Sequence, residues 1–187
     1  MPFDHFGLIA GIYDRAGQFQ VSEPLLGLLT LSPDSRLLDA GGGTGRVAAA
    51  LRGMVKQVYV ADISRGMLRY AAGKGLATVC APAERLPFPS GSLDRVIMVD
   101  ALHHVSDQRQ TAHELFRLLS PGGRIVIVEP DIRKPIVKAI AIGEKILLMR
   151  SHFLPGEKIA TLFTEPDAKT SLVYAGFNLI CIAERVR

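Results

Sequence analysis

The residues best suited to chemistry form a short run, Asp39-Ala40-Gly41-Gly42-Gly43-Thr44-Gly45. Glycine at alternate positions removes Cβ atoms, so backbone can approach a ligand closely and adopt positive φ. The run follows an apolar segment at 36–40 and opens an amphipathic one at 46–53. Its N–H groups and the start of the following helix therefore face a ligand, the arrangement that holds a nucleotide-type cofactor. Asp62 ends a second apolar run. A carboxylate there can accept two hydrogen bonds from a ribose diol. Asp100-Ala101-Leu102-His103-His104 ends a further run with an acid and two imidazoles. His103 is the candidate for base or positioning work on a second substrate.

The common phosphate-binding patterns fail on spacing. Counting G-x-G-x-x-G from Gly41 puts Arg46 in the last position, and counting from Gly42 puts Thr44 where the second glycine belongs. No G-x-x-x-x-G-K-[ST] run occurs. The histidine pair has no cysteine or acidic cluster at ligand spacing, so no metal site is expected. Cys80 and Cys181 sit in apolar runs with no histidine motif nearby and read as two buried free thiols.

Alternating elements must position these residues. Strands are predicted at 36–40, 57–62, 76–80, 94–100 and 123–129, with helices at 46–53, 64–72 and 107–119. Near-continuous Val, Ile and Leu imply strands buried on both faces. Alternation with helices implies a doubly wound α/β fold, with a mostly parallel sheet covered by helices on both faces. Such folds bind ligands at the carboxyl ends of strands near the switch in strand order, which gathers Asp39 to Gly45, Asp62 and Asp100. Residues 6–29 carry scattered helical periodicity. After Glu129 an apolar helix face runs from Ile136 to Leu148, a further helix is predicted at 166–174 with Gly176 as its stop, and a final strand at 177–182. The expected organisation is one domain over 1–187: a helical lid at 1–33, a cofactor-binding core at 34–129, and acceptor-side helices with the final strand at 130–187.

Composition fits that plan. A chain of 187 residues, 48% hydrophobic and 21% charged, has enough apolar material for one core and too much for a disordered chain. Two cysteines exclude a disulfide scaffold. The net charge of +4 is mild, and its excess lies unclustered after residue 130, so no nucleic-acid footprint is expected. No leader pattern and no membrane-spanning run are read in the sequence, which gives a cytoplasmic expectation.

The motifs together resemble the class I S-adenosylmethionine-dependent methyltransferases. Asp39, Gly41, Gly43 and Gly45 match D-x-G-x-G-x-G. Asp62 with Ser64-Arg65-Gly66-Met67-Leu68 is similar to D-x-S-x-x-M-L, and Ala83-Glu84-Arg85-Leu86-Pro87-Phe88 to A-E-x-L-P-F. Leu93 to Ile97 resembles F-D-x-V, Asp100 to His104 the N-x-L-H-H ending, and Leu118 to Gly123 the L-L-x-P-G-G turn. The group includes quinone-biosynthesis C-methyltransferases, whose opening Phe3-Asp4 and Tyr13-Asp14 also resemble.

The resemblance implies S-adenosyl-L-methionine as cofactor and S-adenosyl-L-homocysteine as product. Backbone of Asp39 to Gly45 would take the methionine moiety and Asp62 the ribose. Ile63, Met67, Ala83 and Glu84 would line the adenine side, Asp100 would lie beside the amino group, Tyr13 would lie over the cofactor, and His103 would face the acceptor. The implied acceptor is a small molecule, such as a quinone or lipid-like precursor, because Asp100-Ala101-Leu102-His103 lacks the [N/D]-P-P-[F/Y] ending of base-modifying enzymes. Peripheral membrane contact and a homodimer are compatible with this. Two other readings stand beside it: a non-catalytic cofactor-binding regulator and an RNA methyltransferase. Pro82 stands where the family usually has an Asp for the adenine amino group, a departure that favours the first of these. The family sheet ends in two strands after an A-G-F turn, whereas only one is predicted after Ala175-Gly176-Phe177. About six strands are therefore expected, with the exposed edge shielded by rearrangement or by a second subunit.

Overall fold

The computed structural model describes residues 7, 10, 11, 14, 22–138 and 151–186. Among the described residues seven strands form one sheet: β1 Arg36–Ala40, β2 Gln57–Asp62, β3 Ala77–Cys80, β4 Leu93–Val99, β5 Leu119–Pro130, β6 Ala168–Ala175 and β7 Asn178–Arg185. Their order is β3-β2-β1-β4-β5-β7-β6. The first five run parallel, and β7 and β6 close the sheet antiparallel. The order switches between β1 and β4, which places the ligand crevice of a doubly wound sheet at the ends of β1, β2 and β4.

Five α-helices have both ends among the described residues: α1 Glu23–Leu29, α2 Arg46–Leu51, α3 Arg65–Gly73, α4 Gln108–Leu118 and α5 Gly156–Ala160. Alternate strand residues feed two cores. Leu37, Val58, Val60 and Ile97 pack with α1, α2 and α3 on one face. Leu38, Val96, Met98 and Ile127 pack with α4 and α5 on the other. Local chemistry fixes the helix starts. The Ser64 hydroxyl accepts from the Met67 N–H at 3.1 Å to begin α3, and the Asp107 carboxylate accepts from the Gln110 N–H at 2.9 Å to begin α4.

The C-terminal region differs from expectation. Residues 168–175 form β6, not a helix, so the sheet has its seventh strand. Thr170, Val173 and Tyr174 suit a pleated edge strand, and Asp167 ahead of them looks like a helix cap in sequence alone. Gly176, at φ 60°, is the first residue of a two-residue hairpin turn joining β6 to β7, not a helix stop. One strand does follow Ala175-Gly176-Phe177, and its partner precedes it. Cys80 is exposed on β3 and only Cys181 is buried, because edge-strand residues alternate outward. Tyr13, most of the expected lid, and residues 139–148 of the apolar helix face lie outside the described residues.

Candidate functional site

A cleft of about 310 Å³ opens at the switch point. Its walls include Gly41 to Thr44, Asp62, Ile63 and Met67, then Ala81 to Glu84, then Val99 to Ala101 and His104 to Ser106. The volume lies at the lower end of the range of small-molecule sites, which starts at about 300 Å³.

The glycine loop is shaped by two close approaches. Gly41 has φ 68° and donates its N–H to Ala61 O at 2.8 Å; a Cβ there would sit 2.6 Å from Ala101 Cβ. Only glycine lets β4 close against the loop at this point. Gly43, at φ 54°, donates its N–H to Asp62 Oδ2 at 2.9 Å. A Cβ on Gly43 would project into space bounded by Met67 Sδ at 3.9 Å and Asp62 Oδ2 at 4.0 Å, so the loop forms a cradle on that side.

Asp62 is held at both oxygens, Oδ2 by Gly43 N–H and Oδ1 by Ser64 N–H at 2.7 Å. These two backbone donors orient the carboxylate in the cleft wall. Asp39 is fully buried and accepts the Ala48 N–H at 3.1 Å. Burial pushes its carboxyl up to about 7, opposed by the Ala48 hydrogen bond and helped by the Asp62 charge. Ile63 is 63% exposed, whereas Met67 is buried below the cradle.

Ala83 and Glu84 stand in the opposite wall. Glu84 Oε1 accepts the N–H groups of Ser106 at 2.8 Å and Asp107 at 3.2 Å, so this carboxylate fixes the loop entering α4. Pro82 lines the cleft beside them and offers no side-chain acceptor. Asp100, at φ 50°, closes the β4 end and donates its N–H to Val128 O at 2.9 Å.

The two histidines separate. His103 is buried, its Nδ1 2.5 Å from Glu129 Oε2, and its ring stacks on Phe153 with centroids 4.2 Å apart. It does not line the cleft. His104 does. Adjacent residues of the 3₁₀ turn at Leu102–His104 take different places, one in the core and one in the cleft wall, and sequence could not choose between them. Glu129 is the larger omission. It is 2% exposed, and its Oε1 accepts the Ala101 and Leu102 N–H groups at 3.0 and 2.8 Å, anchoring the turn beneath the cleft. Its only sequence signal is an acid ending an otherwise apolar strand.

Residues 38–127 match the methyltransferase domain model. The chain is 36% identical over 140 residues to the demethylmenaquinone methyltransferase of Mycolicibacterium vanbaalenii, an alignment covering 75% of this chain and 59% of that protein. The core of the chain is thus similar in sequence to the class I S-adenosylmethionine-dependent methyltransferases. The chain spans less than two thirds of that curated relative's length. Among solved structures, the Haloferax volcanii putative methyltransferase complexed with the Trm112 methyltransferase activator superposes with a TM-score of 0.86 at 16% identity, covering 100% of both chains. Geranyl diphosphate C-methyltransferase from Streptomyces coelicolor, in complex with S-adenosyl-L-homocysteine, gives 0.71 at 16% identity, covering 88% of this chain and 78% of that one. These likenesses concern the fold.

The residues of the cleft suit S-adenosylmethionine, the cofactor of that family. The Gly43 cradle admits an extended chain, Asp62 is an oriented acceptor, and Ile63, Ala81, Ala83 and Val105 give apolar walls. Among the described residues, no group of three or more His, Cys, Asp and Glu could hold a metal ion. No described helix is long and apolar enough to cross a membrane.

Proposed function

We propose that this chain transfers a methyl group from S-adenosylmethionine to a small hydroxylated aromatic acceptor of the quinol type. The observation that carries the cofactor half is the Asp62 carboxylate, oriented by Gly43 and Ser64 N–H groups at the edge of the cradle. The acceptor half is supported by the similarity to a demethylmenaquinone methyltransferase and by the apolar side chains in the cleft wall.

In this reading the backbone of Asp39 to Gly45 binds the methionine moiety, and Asp62 binds the ribose hydroxyls. Ile63, Met67, Ala83 and Glu84 form the adenine side, and Asp100 lies toward the amino group. The bound cofactor supplies a methyl group on a positively charged sulfur, already activated for transfer. The chain's own task is to hold the acceptor in line with it and exclude water. Glu84 and Glu129 serve by fixing the two loops that frame the cleft.

The test is incubation with methyl-labelled S-adenosylmethionine and a demethylmenaquinol bearing a short prenyl tail. Label in the quinol fraction, with stoichiometric S-adenosylhomocysteine, supports the reading. Tight cofactor binding with no label in the quinol would remove this acceptor.

A further inference from the structure

The described residues Gly7, Ala10, Gly11 and Asp14 are helical, and their spacing puts them on one helix face. Three of them meet α3 and its C-cap at matching intervals. A Cβ on Gly66 would collide with the Gly7 backbone, and a Cβ on Gly11 would sit 3.0 Å from Tyr70 Oη. Further along the same line, the Lys74 ammonium donates to Asp14 Oδ1, a pair of side chains 30% and 28% exposed. Glycines set how closely the two segments approach, and the ion pair sets their register.

The same ammonium has a second partner. Lys74 Nζ donates to Thr44 O at 2.7 Å. Thr44 is buried, lines the cleft and lies between Gly43 and Gly45, both at positive φ. The stem that carries the ammonium is itself fixed. Arg52 donates to Lys74 O at 2.8 Å, and the Lys74 N–H closes the last turn of α3. The glycine loop packs on this end of α3, because a Cβ on Gly45 would meet Leu76 Cδ1 at 2.6 Å and Ala71 Cβ at 3.0 Å. An exposed ion pair alone adds little. Here a part-buried ammonium, with three donors on a flexible stem, joins an acid 60 residues away to a carbonyl of the cleft wall.

We propose that Lys74, with Asp14 as its counter-charge, is a positioning residue for the amino-acid moiety of the cofactor. It holds the Thr44 carbonyl and so sets the path of the backbone from Gly41 to Gly45. This rests on the cofactor reading above. Neither Lys74 nor Asp14 lines the cleft, so both act through the loop. The N-terminal segment is thereby linked to the methionine end of the cleft through one ammonium.

The experiment has two arms. The first compares backbone amide NMR signals of the free protein and its variants. Asp14→Asn and Lys74→Met should each move the Thr44 and Gly45 signals, with that of Gly122 still. Unmoved loop signals in both variants overturn the proposal, whatever the affinity. The second arm measures calorimetric affinity for S-adenosylhomocysteine and for methylthioadenosine, which lacks the amino-acid moiety. Lys74→Met should weaken S-adenosylhomocysteine binding about tenfold, the size of one lost charge-assisted hydrogen bond, and leave methylthioadenosine binding unchanged. Asp14→Asn should give a smaller loss of the same kind, and Lys74→Arg, which keeps a cationic donor, should recover most of the binding. Equal weakening of both ligands in Lys74→Met, or unchanged affinity for S-adenosylhomocysteine, overturns the proposal and leaves the cofactor reading standing. A wild-type protein that binds neither ligand overturns the cofactor reading and the ligand half of the proposal with it, and the NMR arm then decides by itself whether Lys74 holds the loop.

Discussion

At the scale of single residues, Asp39 combines complete burial with a carboxyl pushed up to about 7 by desolvation. In the unfolded chain an aspartate titrates near about 4. Between those values the folded state holds more protons than the unfolded one, so stability falls as pH rises. The loss is complete above the folded value and absent below the unfolded one, and it amounts to a few kcal/mol at most. Asp39→Asn should therefore flatten the decline in denaturant stability between acidic and mildly alkaline buffer. Parallel pH profiles for the two proteins would contradict this. The thiols should differ as well. Exposed Cys80 should react with a thiol reagent in the native protein, and Cys181, buried and pushed up to about 12, only after unfolding. Asp39, Asp62 and the glycines were legible in sequence because their spacing is set by backbone geometry. That His104 rather than His103 lines the cleft was not, since it depends on the orientation of the turn.

At the scale of elements, the parallel strands and helices through β5 were readable to within a few residues, because buried parallel strands leave continuous apolar runs. The β6–β7 hairpin was not. β6 is an outer strand, largely exposed, so its periodicity is weak, and in sequence the turn glycine Gly176 is indistinguishable from a helix stop. Glu129 shows what joins the elements. One carboxylate satisfies two amides of the turn after β4 from the end of β5 and binds His103. Glu129→Ala leaves buried donors without a partner and should cost roughly 2–4 kcal/mol. Glu129→Gln, which keeps an acceptor for the amides, should recover part of it. Chemical denaturation of both variants checks the order, and equal losses would mean that the carboxylate does not anchor the turn.

At the scale of the whole molecule, the switch in strand order gathers residues from the ends of β1, β2 and β4 into one cleft, and the antiparallel pair β7 and β6 completes the sheet. The expectation of an edge missing its last strand gives way to a seven-stranded sheet whose outer strand is β6. In the proposed function this cleft binds S-adenosylmethionine through an oriented Asp62. Calorimetric titration with S-adenosylhomocysteine tests it most directly. Wild-type protein should bind one equivalent, and Asp62→Ala should bind about tenfold or more weakly, the size expected for losing charge-assisted hydrogen bonds. No heat of binding in the wild type, or equal affinity in the folded variant, would contradict it.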